Sequence, residues 1–476
     1  MESRVCEQCS GGIKTPSPPR LFIPSAMSRR VVPRNPLFGL DLNIQVQKRQ
    51  KRNPVKKPNK AQPFTTVPPE IITEIFVHCL SSNPDDRPRL YCAPLLLLRV
   101  CGSWREIALA APRLWTRLAI FPPRWFFSKP GEVEQYVDTW FQRAKALPVS
   151  LDFTGYDVQD KNSIHAILSA HAPRLQSLTL SLPIVDFFTD TLEFPQLQQI
   201  TLAVLFERPG GVGRYIEAHS PCESFKTAPQ LREIPLRRPA APGLFLLPLE
   251  RLAKFTGEGL TVNQCLDFLR SVPSLVECSV TVEKGDAGRL LGDERVLMQH
   301  LRSLHLGADE DAERSEVVKI LEVLEVPALE HLDLDCIPHL QSFDREMAAF
   351  FSRVSASLQS LSLTSDAVTY LEPSTLEWFI QLPNLTHVEF VNPKNDFMSS
   401  FFCKLHEMDF LSRLHTLRFL QCSFPVDAEL VDVLVARFII GLFEVFELLS
   451  SDSSDEGLDP QLQKLVDNGM QIRISH

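Results

Sequence analysis

Residues 301–306 read LRSLHL, residues 329–334 read LEHLDL and residues 358–363 read LQSLSL. The shared phrase is Leu-x-x-Leu-x-Leu, and its second half alternates apolar and polar residues, as a strand with one buried face does. The first leucines are 28 and 29 residues apart (329 − 301 and 358 − 329). The chain therefore repeats one structural unit, and the phrase is the strand of that unit.

The phrase recurs over most of the chain. Copies begin at Leu175, Leu197, Leu231, Leu249, Leu275, Leu301, Leu329, Leu358, Leu385 and Leu414. The copy at Leu249 is the weakest, because Lys254 stands where an apolar residue belongs. The last six steps are 26 to 29 residues long, which fits the period of leucine-rich repeats. Ten copies argue against the alternative, an ordinary leucine-rich α/β domain.

Helical periodicity fills the gaps between the phrases, for example at Val262, Cys265, Leu266 and Leu269. Each unit is therefore a helix followed by a strand. We predict an α/β fold, a leucine-rich-repeat-like horseshoe of alternating helices and parallel strands, over residues 147–476. The weak copy places Arg251 between apolar positions, on the exposed face of a strand.

The polar residues between the apolar strand positions are expected to line the concave face. They have mixed charge, so an unknown protein target is the expected ligand, and plain solvation is the alternative for each single residue. The predicted target-binding residues are His305, His331, Asp333, His387, Glu389 and Arg418.

A second feature precedes the repeats. Residues 67–80 read VPPEIITEIFVHCL and residues 93–118 read APLLLLRVCGSWREIALAAPRLWTRL. Pro68 and Pro69 suit a first helical turn, and Glu70 suits its positive dipole end. The spacing of apolar residues predicts short helices with a small core. Domains of that size are marginal alone and are often completed by a partner.

This stretch resembles an F-box domain, through its Pro-Pro-Glu-Ile start, its Val-Cys-x-x-Trp segment and its final Leu-Trp. Together with the repeats, the chain resembles the F-box proteins of mushroom-forming fungi. The resemblance implies a small three-helix F-box that docks on a Skp-type adaptor and through it on a cullin. The protein would then be the substrate-recognition adaptor of an SCF-type cullin–RING ubiquitin ligase. A repeat scaffold for protein–protein interaction without ubiquitin transfer is the alternative.

Carried over by position, the adaptor-binding residues implied by the resemblance are Pro68, Glu70, Ile71, Ile72, Ile75, Phe76, Leu98, Val100, Cys101 and Trp104. Two features depart from the family pattern: Val67 stands where Leu is usual, and the loop from Ser81 to Cys92 is long. For Trp104, an adaptor contact and a core position are both open. The predicted domains are a tail (1–64), the F-box (65–120), a linking helix (121–146) and the repeats (147–476).

Charge separates the tail from the body. Residues 1–66 hold 13 Lys and Arg against 3 Asp and Glu, a net charge of +10, so the remainder carries −9 − 10 = −19. The tail is rich in Pro, Ser and basic residues, and we expect it to be disordered. Its basic run at 48–60 is interpreted as a nuclear import signal or a solvated linker. Nucleic-acid binding is disfavoured because no aromatic residues interleave with the charges.

Catalytic and metal-binding motifs are missing from the sequence. Cys6 and Cys9 form one CxxC pair, whereas a closed zinc site needs four ligands. The glycines at 210–213 have no following Lys-Ser/Thr. We therefore expect no cofactor and no enzymatic activity. Apolar runs are too short for a membrane span and no signal peptide is evident, so the expected location is the cytoplasm or nucleus.

Overall fold

The computed structural model describes residues 67–81, 88–120, 131–154, 161–182, 192–204, 223–237, 246–284, 295–309, 315–335, 344–364, 371, 375–422, 428–441, 443–449 and 460–475. Contacts group residues 58–476 into one compact unit, which contains all of them. The predicted tail, the CxxC pair and the glycines at 210–213 lie outside the described residues.

The described residues form twelve α-helices. They are α1 (Pro69–His78), α2 (Leu97–Val100), α3 (Gly102–Ala110), α4 (Glu132–Arg143), α5 (Lys161–His171), α6 (Val262–Ser271), α7 (Ser315–Val323), α8 (Asp344–Val354), α9 (Leu376–Ile380), α10 (Asn395–Leu405), α11 (Ala428–Ile439) and α12 (Pro460–Asp467). Short 3-10 helices lie at Pro112–Trp115, Ala172–Arg174 and Leu249–Arg251.

The same part of the chain forms sixteen strands. They are β1 (Arg117–Ile120), β2 (Val149–Thr154), β3 (Leu175–Leu182), β4 (Gln199–Val204), β5 (Glu233–Arg237), β6 (Lys254–Leu260), β7 (Glu277–Val282), β8 (Val296–Leu297), β9 (Ser303–Ala308), β10 (Leu324–Glu325), β11 (His331–Leu334), β12 (Ser360–Thr364), β13 (His387–Val391), β14 (Thr416–Leu420), β15 (Val445–Leu449) and β16 (Gln471–Ser475).

Fourteen of these strands form one parallel sheet in chain order, and β8 pairs separately with β10. Each strand adds to the edge left by its predecessor, as a stack of repeats requires. This order confirms the predicted α/β, leucine-rich-repeat-like fold. The sheet also begins earlier than the first predicted copy, because β1 pairs in parallel with β2.

The repeated leucines set the register of the sheet. Leu304, Leu332 and Leu361 are direct partners on neighbouring strands, and all three are buried. The helices cover this face: the rings of Phe255 on β6 and Phe268 on α6 are 3.9 Å apart. Burying a leucine or phenylalanine contributes about 1.5–3 kcal/mol, so a register slip of one residue would expose the whole core row. The opposite, polar face of the sheet carries the residues between the leucines.

One predicted copy is out of register. The structure aligns Phe255 with Ile234 and Cys278, so this copy runs Leu252, Phe255, Gly257 and does not begin at Leu249. Gly257 takes the third apolar position, and a Cβ there would lie 2.7 Å from the Leu260 side chain. Neighbouring side chains thus fill the space that a leucine occupies elsewhere. The prediction that Arg251 faces the exposed side of a strand is wrong, because it ends a 3-10 helix and donates to the Pro229 carbonyl at 3.2 Å.

A buried arginine joins the last repeats. Arg437 on α11 has no exposed surface, and its guanidinium donates to the carbonyls that follow α10. The acceptors are the carbonyl oxygens of Leu405, Glu407, Phe410 and Leu411, at 2.6 to 3.3 Å. Helix C-termini leave carbonyls unpaired, and here one side chain from the next repeat satisfies them.

Candidate functional site

The helices α1 to α3 and the 3-10 helix at Pro112–Trp115 make up a helical module. Its core holds Ile72 and Phe76, which are buried, and the ring of Phe76 lies 4.9 Å from that of Trp104. A salt bridge joins Glu74 on α1 to Arg113 in the 3-10 helix. Of the residues assigned to adaptor binding, Ile72 and Phe76 therefore hold the module together, and half-buried Trp104 packs against that core.

Large apolar side chains on this module stay exposed. Ile71 and Ile75 are 53% and 44% exposed, and they lie one turn apart on the same side of α1. Val100 at the end of α2 is 52% exposed. We use the term apolar face for these three exposed side chains of the module, two on α1 and one at the end of α2. Isolated exposed apolar residues are ordinary, but several on one small module are typical of a contact surface.

The other four predicted docking residues also differ in their exposure to solvent. Pro68, Glu70 and Cys101 are exposed, and Leu98 is half-buried. The sequence interpretation missed Leu96 and Leu109, which are also exposed. For Leu96 the signal was the run of four leucines at 95–98, since one short segment cannot turn four consecutive side chains into a single core.

Two tryptophans fix the module to the first strands. Trp115 is buried, its Nε1 donates to the Ala108 carbonyl at 2.8 Å, and its ring lies 4.8 Å from that of Trp140 on α4. Trp140 Nε1 donates to the Arg117 carbonyl at 3.0 Å. Because Arg117 begins β1, these contacts make the module continuous with the sheet.

On the polar face of the sheet, the side chains of one row form ion pairs with each other across neighbouring strands. His305 Nδ1 lies 2.8 Å from Asp333 Oδ2, and this hydrogen bond raises the pKa of His305. Arg418 lies 3.6 Å from a Glu389 oxygen and 2.9 Å from a Glu447 oxygen. These predicted target-binding residues are brought together in register, but their charges are already balanced by neighbours.

A second row lies at the first residue of each strand, and Lys254 and Glu277 form a salt bridge of 3.0 Å in it. It contains His331 and His387, the other two predicted target-binding residues, with Ser360 between them. Partial burial lowers the pKa of His387, and the nearby His415, Arg418 and His331 lower it further while Glu444 opposes them.

Two depressions lie along the edge where the chain enters the strands. One, of about 620 Å³, is lined mainly by glutamines and serines together with Arg232 and Glu233. The other, of about 420 Å³, is lined by Arg302, Ala328, Glu330, Ala356, Ser357, Gln359, Asn384, Thr386 and Arg413, and we call it the entry pocket. The sequence interpretation did not single out Arg413 or Asn384, because each precedes a repeat phrase and lies outside its alternating positions.

Metal chemistry finds no support in the part of the chain that the structure describes. There, no three His, Cys, Asp or Glu side chains are grouped as metal ligands. Among the same residues no helix is both long enough and apolar enough to span a membrane. Burial raises the pKa of the Cys265 thiol to about 12, so this cysteine stays a protonated core residue.

The fold and these surfaces define a leucine-rich-repeat-like α/β protein whose first strand continues from a small helical module. No protein-family model matches the chain, and no curated protein matches it. Among solved structures, the crystal structure of human 5T4 (Wnt-activated inhibitory factor 1, trophoblast glycoprotein) is similar at 19% identity, with a TM-score of 0.27. The match covers 53% of this chain and 82% of that one. At this TM-score the fold assignment rests on the strand order and register described above.

Proposed function

We propose that this protein is a non-catalytic scaffold for protein–protein interaction, with the helical module docking on one protein and the polar face of the sheet binding another. The apolar face of the module is the observation that carries the proposal. Ile71, Ile75 and Val100 are exposed, while Ile72 and Phe76 already form a core without them. Covering such side chains in a partner gains about 25 cal/mol for each Å² of apolar surface removed from water.

The polar face supports the second half of the proposal. It is a surface of mainly polar side chains with mixed charge, interrupted by Val391, Leu420 and Leu449, which are direct partners on β13, β14 and β15. Rigid, regularly spaced polar groups suit recognition of a protein surface, since little ordering entropy is lost when they bind.

The finer proposal names the first partner. The resemblance of residues 67–118 to an F-box implies a Skp-type adaptor, and through it a cullin, so that the sheet would present an unknown target to an SCF-type ubiquitin ligase. This proposal places the protein in the cytoplasm or nucleus. The exposure of Pro68, Glu70, Ile71, Ile75 and Val100 supports it, because these positions match the docking segment of that family. A scaffold that works without ubiquitin transfer is the second candidate.

Co-purification with an adaptor tests the docking half. The full chain would be co-expressed with a fungal Skp-type adaptor, as wild type and as Ile71→Asp with Ile75→Asp. Ile380→Asp is the matched control, because Ile380 is 54% exposed but ends α9, far along the repeat series. Circular dichroism would confirm that each variant is folded.

We expect the adaptor to co-purify with wild type and with the control, and to be lost with the double variant. A folded wild type that captures no adaptor would overturn the finer proposal. A complex that survives the double variant would overturn the assignment of the docking surface. Adding the cullin then separates the two candidates, since only a ligase receptor brings it into the complex.

A further inference from the structure

The larger of the two depressions is lined mainly by uncharged polar groups. It lies where the chain enters β2 to β5, and we call it the glutamine pocket. Its lining residues are Ser150, Gln176, Ser177, Gln198, Gln199, Pro229, Gln230, Arg232 and Glu233. Its volume of about 620 Å³ falls within the range of about 300–1,000 Å³ that is typical of ligand sites. Two of these residues are charged, Arg232 and Glu233, and their charges cancel.

The backbone fixes the spacing of the side chains in this pocket. Gln176, Gln198 and Arg232 hold the same place in three consecutive repeats, directly after the first leucine of the phrase. The Gln198 N–H donates to the Gln176 carbonyl at 2.8 Å, and the Arg232 N–H donates to the Gln198 carbonyl at 3.0 Å. The three residues are therefore about one strand spacing apart, and little backbone order has to be gained when a ligand binds.

A change in register shapes the end of the pocket at β2. Val149 and Ser150 are consecutive residues of β2, but their partners on β3 are two positions apart, which leaves Gln176 without an opposite residue. Extra residues of this kind redirect side chains at the edges of sheets and beside functional sites. The side chain of Gln176 turns to the other neighbouring strand, where it meets Gln198.

The hydrogen bonds between the lining residues leave donors available. Gln176 Nε2 donates to Gln198 Oε1 at 3.0 Å, and Ser177 Oγ donates to Gln199 Oε1 at 3.3 Å. Both bonds use an amide oxygen, so the Nε2 groups of Gln198 and Gln199 each keep two N–H donors. Among the described residues, these two nitrogens and the guanidinium of Arg232 have no acceptor, and Gln176 Oε1 has no donor.

The charges in and around the pocket do not favour a charged ligand. An anion would meet one guanidinium and one carboxylate there, on a body whose residues 67–476 carry a net charge of −19. On the next two strands, Lys254 and Glu277 neutralise each other at 3.0 Å. No aromatic side chain is among the lining residues, so a platform for stacking nucleic-acid bases is missing.

We propose that the glutamine pocket binds asparagine or glutamine side chains in an extended, uncharged segment of a partner protein. A side-chain amide has one carbonyl oxygen and two N–H donors, so it complements the unpaired N–H groups of Gln198 and Gln199 and the unpaired oxygen of Gln176. The pocket crosses three strand spacings, about 14 Å, which about four residues of an extended chain cover. This inference rests on the proposed function, since it names the chemistry that one part of the polar face recognises.

Fluorescence anisotropy on the full chain tests the inference, with a labelled peptide of alternating glutamine and serine. Two matched peptides have glutamate, which has nearly the same shape, or alanine in place of every glutamine. Gln198→Glu removes the unpaired N–H groups and keeps an oxygen that accepts from Gln176. Gln359→Glu is the matched control, because Gln359 is also exposed, also directly follows the first leucine of its phrase, and gains the same charge.

We expect the glutamine peptide to bind, and the glutamate and alanine peptides to bind about tenfold more weakly. Gln198→Glu should weaken binding of the glutamine peptide about tenfold, the ratio that corresponds to about 1.4 kcal/mol, whereas Gln359→Glu should leave it unchanged. Equal binding of the three peptides, no binding of the glutamine peptide, or equal weakening by both substitutions would overturn the proposal. Displacement of the peptide by cellohexaose, a neutral sugar chain, would overturn the choice of a protein ligand.

Adaptor co-purification with Gln198→Glu separates this test from the test of the docking proposal. The substitution lies on the sheet, so the variant should still capture the adaptor through the helical module. Loss of peptide binding with adaptor capture intact is the result that we expect. Absence of peptide binding by a wild type that captures the adaptor would overturn the glutamine pocket alone.

Discussion

Replacing Arg437 with methionine is expected to destabilise the last repeats by about 2–4 kcal/mol. The buried guanidinium donates to four carbonyl oxygens. Among the described residues, the carbonyls of Leu405 and Phe410 accept no other hydrogen bond. The carbonyls of Glu407 and Leu411 also accept backbone N–H groups, so they stay paired.

The magnitude follows from those two orphaned carbonyls. Each buried carbonyl without a partner costs about 1–3 kcal/mol, which sums to about 2–6 kcal/mol. Methionine fills much of the arginine's volume and also removes the cost of burying a cation. That cost is evident in the pKa of Arg437, which burial lowers. The lower part of the range is therefore expected.

Urea unfolding followed by circular dichroism gives the change in stability, and hydrogen exchange read by mass spectrometry locates it. Exchange should rise most over residues 395–420, where the lost acceptors lie, because repeats open locally. Arg473→Met is the control. Arg473 is exposed, and its contact with Glu447 is long, at 3.8 Å. The free energy of unfolding of this variant should therefore stay within about 0.5 kcal/mol of the wild-type value. An Arg437→Met protein with wild-type stability and exchange would refute the capping explanation.

Three further predictions concern the sheet and its junction with the module. Gly257→Ala should lower the free energy of unfolding by about 1–3 kcal/mol, because its Cβ would meet the Leu260 side chain at 2.7 Å; unchanged urea midpoints would contradict this. Trp115→Phe should cost about 1–2 kcal/mol, since it removes a buried hydrogen bond to a carbonyl of α3, and equal stability would argue against that bond. The raised pKa of His305 means that its pair with Asp333 stabilises the fold below the ordinary histidine pKa and is lost as pH rises through the raised value. Urea midpoints measured against pH should show this slope in wild type and not in Asp333→Asn.

The sheet could be predicted from sequence because its register depends on one repeated requirement, the burial of leucines at fixed spacing. The exception is the copy that the sequence placed at Leu249. Leu249 and Leu252 have the same three-residue spacing as the first two leucines of the repeat phrase. The actual copy begins at Leu252 and is hard to recognise in the sequence, because Gly257 stands where its last leucine is expected. Only contacts from Phe255 and Leu260 explain how a glycine occupies a core position.

The binding surfaces were less predictable. In α1 the apolar pairs Ile71–Ile72 and Ile75–Phe76 give two adjacent sides of one helix, and packing against Trp104 decides which side is buried. The resemblance to an F-box assigned all four residues to the docking surface, because matching positions along a sequence does not tell the buried side of the helix from the exposed one. Arg413 and Arg437 depend on where the preceding segments end, which the repeat pattern does not specify.

Hydrogen exchange of the full chain, with and without a purified Skp-type adaptor, tests the central claim most directly. The account predicts slower exchange over Pro69–His78 and Leu97–Val100, which carry the apolar face, and no change along β9 to β16. Protection confined to the strands, or no protection in the presence of excess adaptor, would contradict the claim that this face is the docking surface.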